Sequence, residues 1–178
     1  PGKKQVNLYW AWPGPSIYSD EWILWLLAQR IFGEVEASRL WQLRQREGLA
    51  YEVWCDSFEF KDGPVIVIYM AFAKKKHSQA VRALQREIEK MLREGISAEE
   101  LERAKVSFIT SLERSDRTAV QRSDRLADLW LKGFSLNRRA RIRRVISRAT
   151  LDAVNSVIRQ ILSMKRFVNV EVGALQSN

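Results

Sequence analysis

The chain carries a single histidine, His77, and a single cysteine, Cys55. Histidine and cysteine do most of the nucleophilic, general-base and zinc-ligating work in proteins, so their scarcity is decisive. A structural zinc site takes four ligands, mostly Cys and His, and the usual catalytic sites take two or three histidines. Neither can be assembled here, and a Ser-His-Asp triad would have to use His77. An internal disulfide lacks its second sulfur. His77 lies in KKKHSQA with no glutamate three residues on, and reads as an exposed histidine near a helix start. Cys55 shares the parity of Tyr51 and Val53 in an alternating stretch and reads as a packed, inert thiol. No metal or cofactor is expected on this chain.

The formal charge of +9 is unevenly spread. Between residues 133 and 166 stand Arg138, Arg139, Arg141, Arg143, Arg144, Arg148, Arg159, Lys165 and Arg166 against Asp152 alone, which accounts for +8 of the total. A basic block can be a nucleic-acid footprint. Ile142, Val145 and Ile146, however, keep a helical apolar face running through the arginines. The block therefore reads first as a solvated or partner-facing helical surface, and nucleic acid is not the expected partner.

The elements that must position these residues follow from apolar period and capping. Residues 5–12 (QVNLYWAW) alternate and are stopped by Pro13-Gly14-Pro15, a strand. Ser19 or Asp20 can cap a helix that is apolar on every side through Trp22, Ile23, Leu24, Trp25, Leu26 and Leu27, with Gly33 as its stop. Ser38 opens a shorter helix, with Gly48 placed to close it in the left-handed conformation. Strands at 50–60 and 65–73 flank Lys61-Asp62-Gly63, a hairpin signal. An amphipathic helix over 78–93 is stopped by Gly95, and Ser97 with Glu100 forms a capping box for the next one. Residues 114–125, the mixed-charge stretch from Asp116 to Asp124 included, read as a solvated kink or loop before 126–131 resumes. Thr150 or Asp152 caps a helix to Leu162, and 167–172 (FVNVEV) alternates as a closing strand.

That order, βααββαααβ, predicts an α+β two-layer sandwich in which helices cover a largely antiparallel sheet. With 178 residues, 46% of them apolar and 29% charged, the chain should form a single domain over 1–178 and bury about 70% of its unfolded surface. The longest apolar stretch, 64–73, is ten residues, short of the roughly 20 a membrane-spanning helix needs. The chain opens on Pro1 rather than Met and reads as a domain excised from a longer chain. Trp22 to Leu27 and the tryptophan-rich first strand are expected beside a sister domain, leaving an apolar patch on the isolated piece.

The run FGEVEASRLWQLRQREGLAYEV, residues 32–53, resembles the hallmark of the second, C-terminal, zinc-free domain of the pitrilysin/insulinase metallopeptidases, a family that includes mitochondrial processing peptidase and many bacterial zinc proteases. PGPSIYSDEW, GISAEELERAK, RVISRATLDAVNSVIRQIL and FVNVEVG extend the resemblance in the same order over nearly the whole chain. Members often carry a glycine-rich turn before the serine, whereas here Gly33 is followed by Glu34-Val35-Glu36-Ala37.

The resemblance implies that zinc, held by an H-x-x-E-H motif, belongs to a partner domain in the same gene or in another chain, and that this chain is inactive alone. It assigns to this domain an arginine and a tyrosine seven residues apart that reach the substrate, here Arg44 and Tyr51. From spacing alone, the two read as a helix-end arginine serving the dipole and a packed strand tyrosine. In the role implied by the resemblance, the tyrosine hydroxyl donates to the oxygen that gains negative charge as a peptide carbonyl is attacked, and the arginine fork orients the extended peptide substrate. The alternatives are a catalytically silent scaffold, like the core subunits of the respiratory cytochrome bc complex, and a basic nucleic-acid-binding module.

Overall fold

The computed structural model describes residues 5–34, 38–60, 62–115, 117–163 and 167–173, except for the Glu34 side chain. Lys61, Asp116, Lys165, Arg166 and the 35–37 stretch lie outside the described residues. Within them, strand β1 (Gln5–Pro13) leads to helix α1 (Asp20–Gln29), a wide π turn (Arg30–Glu34) and the short helix α2 (Trp41–Gln45). The hairpin β2 (Glu52–Phe58) and β3 (Val65–Ala73) follows. A 3-10 turn (Lys74–Lys76) then opens a helical half, α3 (His77–Glu94), α4 (Ala98–Arg114), α5 (Ala119–Leu131), α6 (Arg138–Arg148) and α7 (Leu151–Leu162), which β4 (Val168–Gly173) closes. The fold is α+β, and its sheet, in the order β2-β3-β1-β4, is antiparallel at every described pairing.

Alternation decides which sheet face meets the helices. Val6, Leu8, Trp10 and Trp12 of β1, Val53 and Cys55 of β2, and Ile66, Ile68, Met70 and Phe72 of β3 all enter one core with the helices. The opposite face carries Tyr9, Trp54 and Tyr69, with Trp54 stacked on Tyr69 at 4.9 Å and Tyr9 tilted against it at 4.9 Å.

Helix α1 is buried nearly all round: Trp22, Ile23, Trp25, Leu27 and Ala28 are in the core. Both tryptophans of this helix keep their N–H satisfied, Trp22 donating to Glu59 Oε1 at 2.8 Å and Trp25 to Ser57 Oγ at 3.0 Å. This corrects the expectation that α1 and β1 lie against a sister domain, because their tryptophans are consumed by this domain's own core. The most exposed large apolar side chains among the described residues are instead on α5 and just beyond, Trp130, Leu131 and Leu136, 80%, 72% and 71% exposed.

Two boundaries also differ from the sequence reading. Gly33 does not stop a helix; it lies inside the π turn, where a Cβ would come within 2.6 Å of the Cys55 backbone nitrogen and 2.8 Å of Leu40. Helix α5 begins at Ala119 rather than 126, opened by a second capping box in which Thr118 and Gln121 satisfy one another's backbone. With the arginine-rich α6 as a full helix, the second half holds five helices where the order βααββαααβ has three.

Candidate functional site

Helix α2 is one and a half turns long and is held by its surroundings rather than by propensity. Leu40 and Leu43 are buried, and Arg39 N–H and Leu40 N–H donate to the Ile31 and Phe32 carbonyls at 3.1 and 2.9 Å. Gly48 follows at φ +59, where an L side chain is strained, and Leu49 N–H folds back onto the Leu43 carbonyl at 3.0 Å. Tyr51 N–H donates to Ala71 O at 2.8 Å, which aligns the chain for β2. The Gly48 loop is therefore tied to both α2 and β3.

Arg44 and Tyr51 stand on either side of this loop, and both side chains are open to solvent. Tyr51 shares the parity of Val53 and Cys55, which are 3% and 1% exposed, yet it is itself 57% exposed. Its hydroxyl meets no hydrogen-bond partner among the described residues. Arg44 lays its guanidinium over the Trp41 ring at 4.7 Å from the centroid, and no carboxylate among the described residues pairs with it. The packed-tyrosine reading fails on burial.

The residues present do not fit a zinc site. His77 is the first residue of α3, partly buried, with Nε2 2.8 Å from Glu171 Oε2 on β4. Cys55 is buried in β2. Among the described residues no three His, Cys, Asp or Glu side chains gather where they could hold a metal ion.

The α6 arginines are largely spent inside the molecule. Arg138 pairs with Glu59 at 3.0 Å, Arg141 with Asp20 at 2.6 Å and Arg143 with Glu113 at 2.6 Å, while Arg139 donates to the Leu112 carbonyl at 2.5 Å. These intramolecular partners leave fewer of the α6 arginines for the basic nucleic-acid footprint that the charge count alone allowed. Two features escaped the sequence. Arg39 clamps Glu100, and the Lys74–Lys76 turn comes to rest against the Gly48 loop, where Lys76 Nζ donates to Gly48 O at 2.7 Å. The lysine run was visible as a string, but only the hairpin and the start of α3 decide where it lands.

Residues 1–108 match the peptidase M16 inactive domain family, and the chain belongs to it. An uncharacterized zinc protease of Rickettsia bellii is 32% identical over 97 residues, 54% of this chain and 23% of that protein. The uncharacterized zinc protease Mb2805c of Mycobacterium bovis is 25% identical over 148 residues, 83% of this chain and 34% of the relative. The chain thus spans about a third or less of these relatives' lengths. Among solved structures, a peptidase M16 inactive domain from Pseudomonas fluorescens superposes with a TM-score of 0.88 at 18% identity, covering 99% of this chain and 43% of the other. The inactive peptidase domain of a Bordetella parapertussis protein gives 0.85 at 17% identity, covering 98% and 97%. These likenesses establish the α+β fold, and no helix among the described residues is long and apolar enough to cross a membrane.

Proposed function

We propose that this chain is the substrate-completing, zinc-free domain of a zinc metallopeptidase, presenting Arg44 and Tyr51 to a peptide held between it and a zinc-bearing sister domain in the same gene or a partner chain. The observation that carries the reading is the exposure of Tyr51 at a position whose strand parity leads into the core. An amphipathic ring left in solvent with a free hydroxyl, on a loop fixed at both ends, is preorganised to donate a hydrogen bond outward. As a peptide carbonyl is attacked, charge grows on its oxygen, and a donor already aimed there lowers the barrier without reorganising. Arg44, on the other side of the Gly48 loop, offers a planar fork that can hold backbone carbonyls or a carboxylate and fix the peptide's direction. The metal and its chemistry belong to the sister domain in this reading.

A scaffold-only role is the second reading, and the stacking of Arg44 on Trp41 favours it, since that contact gives the arginine a structural use. The two separate on one experiment. With the zinc-bearing domain supplied, Tyr51→Phe should lower kcat for peptide hydrolysis by roughly ten- to a thousand-fold. Undiminished turnover would leave the scaffold reading in place.

A further inference from the structure

The rim that presents Arg44 and Tyr51 also collects lysines from a distant part of the chain. Lys74, Lys75 and Lys76 make up the 3-10 turn between β3 and α3. Two bonds fasten that turn beside the Gly48 loop: Lys76 Nζ to Gly48 O at 2.7 Å, and Tyr51 N–H to Ala71 O, three residues before Lys74, at 2.8 Å. The loop that leads to Tyr51 and the turn fastened beside it thus carry Arg44, Arg46 and Lys75 exposed and Lys74 and Lys76 half-buried.

Counter-charge there is scarce. Glu47 is occupied by Arg86, whose Nη2 lies 2.9 and 3.0 Å from its two oxygens. Glu52 is opposite Ala71 and belongs to the sheet face that carries Trp54's neighbours, away from the core side that Tyr51 shares with Val53. Among the described residues Arg44, Arg46, Lys74 and Lys75 have no acidic partner. Like charges gathered without neutralising acids repel one another in the free protein, and the same field attracts and steers an anionic ligand.

Resting on the reading of Arg44 and Tyr51 as substrate-facing, we propose that this rim selects peptides with acidic side chains close to the bond being cleaved. An extended peptide advances about 3.3 Å per residue, so aspartates or glutamates within a few residues of the carbonyl at Tyr51 come within reach of the lysine stems. The lysines act as flexible point charges and set a preference for acid, while the arginine fork and the tyrosine hydroxyl address the backbone.

The test uses three fluorescein-labelled peptides of one length and background, rich in glutamate, glutamine or lysine, titrated against this chain by anisotropy. The glutamate peptide should bind about tenfold tighter than the glutamine peptide at low salt, with the advantage shrinking as salt is added. A Lys74→Gln/Lys75→Gln double variant should remove most of the advantage with the melting temperature unchanged, since both side chains leave from a surface turn. Equal binding of all three peptides overturns the proposal. So does a glutamate preference that survives the double variant and falls instead with Arg144→Gln/Arg148→Gln on α6. Charge-blind binding beside a Tyr51→Phe loss of turnover would overturn the acidic preference alone. Glutamate preference beside undiminished Tyr51→Phe turnover would overturn the catalytic reading and leave an acidic-peptide docking rim.

Discussion

Arg39 holds Glu100 through two charged hydrogen bonds, Nε to Oε1 at 2.8 Å and Nη2 to Oε2 at 2.6 Å, joining the approach to α2 to the first turn of α4. The same guanidinium donates to the Gly95 carbonyl at 2.8 Å, and Glu100 also accepts from Ser97 N–H in the capping box. The entry to α2 is thus bolted to the α3–α4 connection by one fork.

That clamp makes a pH prediction. Burial alone would push the Glu100 carboxyl up, but the bonds from Arg39 and Ser97 outweigh it and hold the group below the usual carboxylate range. A depressed folded pKa means stability that is present above the unfolded value of about 4.3 and lost as pH falls through the lower folded value. Glu100→Gln can still serve the capping box but not the ion pair, so it should cost about 1–2 kcal/mol at neutral pH. Urea unfolding of both proteins from pH 7 down to pH 3 should show this gap closing at the acid end. A gap constant across that range would mean that the pair contributes shape rather than charge.

Glu59 gives a second test, by comparison. One oxygen accepts from Trp22 Nε1 at 2.8 Å and Arg138 at 3.0 Å, and the other meets Lys132 at 3.0 Å, tying the end of the hairpin to α1, α6 and the turn after α5. Removing this carboxylate strands a buried indole N–H and takes the carboxylate from the shielded Arg138, while Lys132 keeps Asp128 at 2.8 Å, so Glu59→Ala should cost about 3 kcal/mol. Glu113→Ala breaks the Arg143 pair, whose side chains are 51% and 54% exposed, and should cost less than about 1 kcal/mol. Denaturation midpoints at one pH compare them, and equal losses would refute the hub.

Glycines 33 and 48 should fail for different reasons. Gly33 is outside the left-handed region, and its need is space, because an added Cβ meets Cys55 backbone and Leu40 under 3 Å. Gly33→Ala should therefore cost about 1–3 kcal/mol through forced backbone movement. Gly48 has nothing within 4 Å of such a Cβ but sits at φ +59. Gly48→Ala should cost about 1 kcal/mol from strain, and Gly48→Asn, which tolerates that region, less. Chemical denaturation reads both; if Gly48→Asn cost as much as Gly48→Ala, the strain account would be wrong.

What the sequence made legible is what is local. The strand alternation, the Ser97–Glu100 box, the Gly95 stop and the α+β order with its family resemblance are written within a few residues of where they act. The onset of α5 was hidden although Thr118 and Gln121 spell a capping box, because α5 buries little beyond Leu129 and its first two turns, AVQRSDR, offer few apolar residues. Gly33 resembles a helix stop in one dimension, and only the packing of β2 behind it reveals a spacing constraint. The contacts that shape the site were out of reach for the same reason: Arg39 to Glu100 spans 61 positions, Arg138 to Glu59 spans 79 and Lys76 to Gly48 spans 28. Arg44 and Tyr51 were singled out through the resemblance; their spacing alone pointed to structural duties.

The candidate pair itself is expected to separate folding from function. Tyr51 is mostly exposed, and Arg44 is exposed with its guanidinium over the Trp41 face of its own helix. Tyr51→Phe keeps the ring and removes a hydroxyl that holds nothing, so the stability of this chain should change by less than about 0.5 kcal/mol. Arg44→Lys keeps a cation near Trp41 and should likewise leave the melt in place. With the zinc-bearing domain supplied, the two variants should part company: Tyr51→Phe acts on a bond made only as charge develops and should lower kcat with KM little changed. Arg44→Lys loses the planar fork that orients the bound peptide and should raise KM as well as slow turnover. Steady-state kinetics on a peptide substrate, paired with thermal melts of each variant, distinguish the cases. A Tyr51→Phe variant that unfolds would give the hydroxyl a structural duty, and two variants with full activity would assign the whole domain to scaffolding.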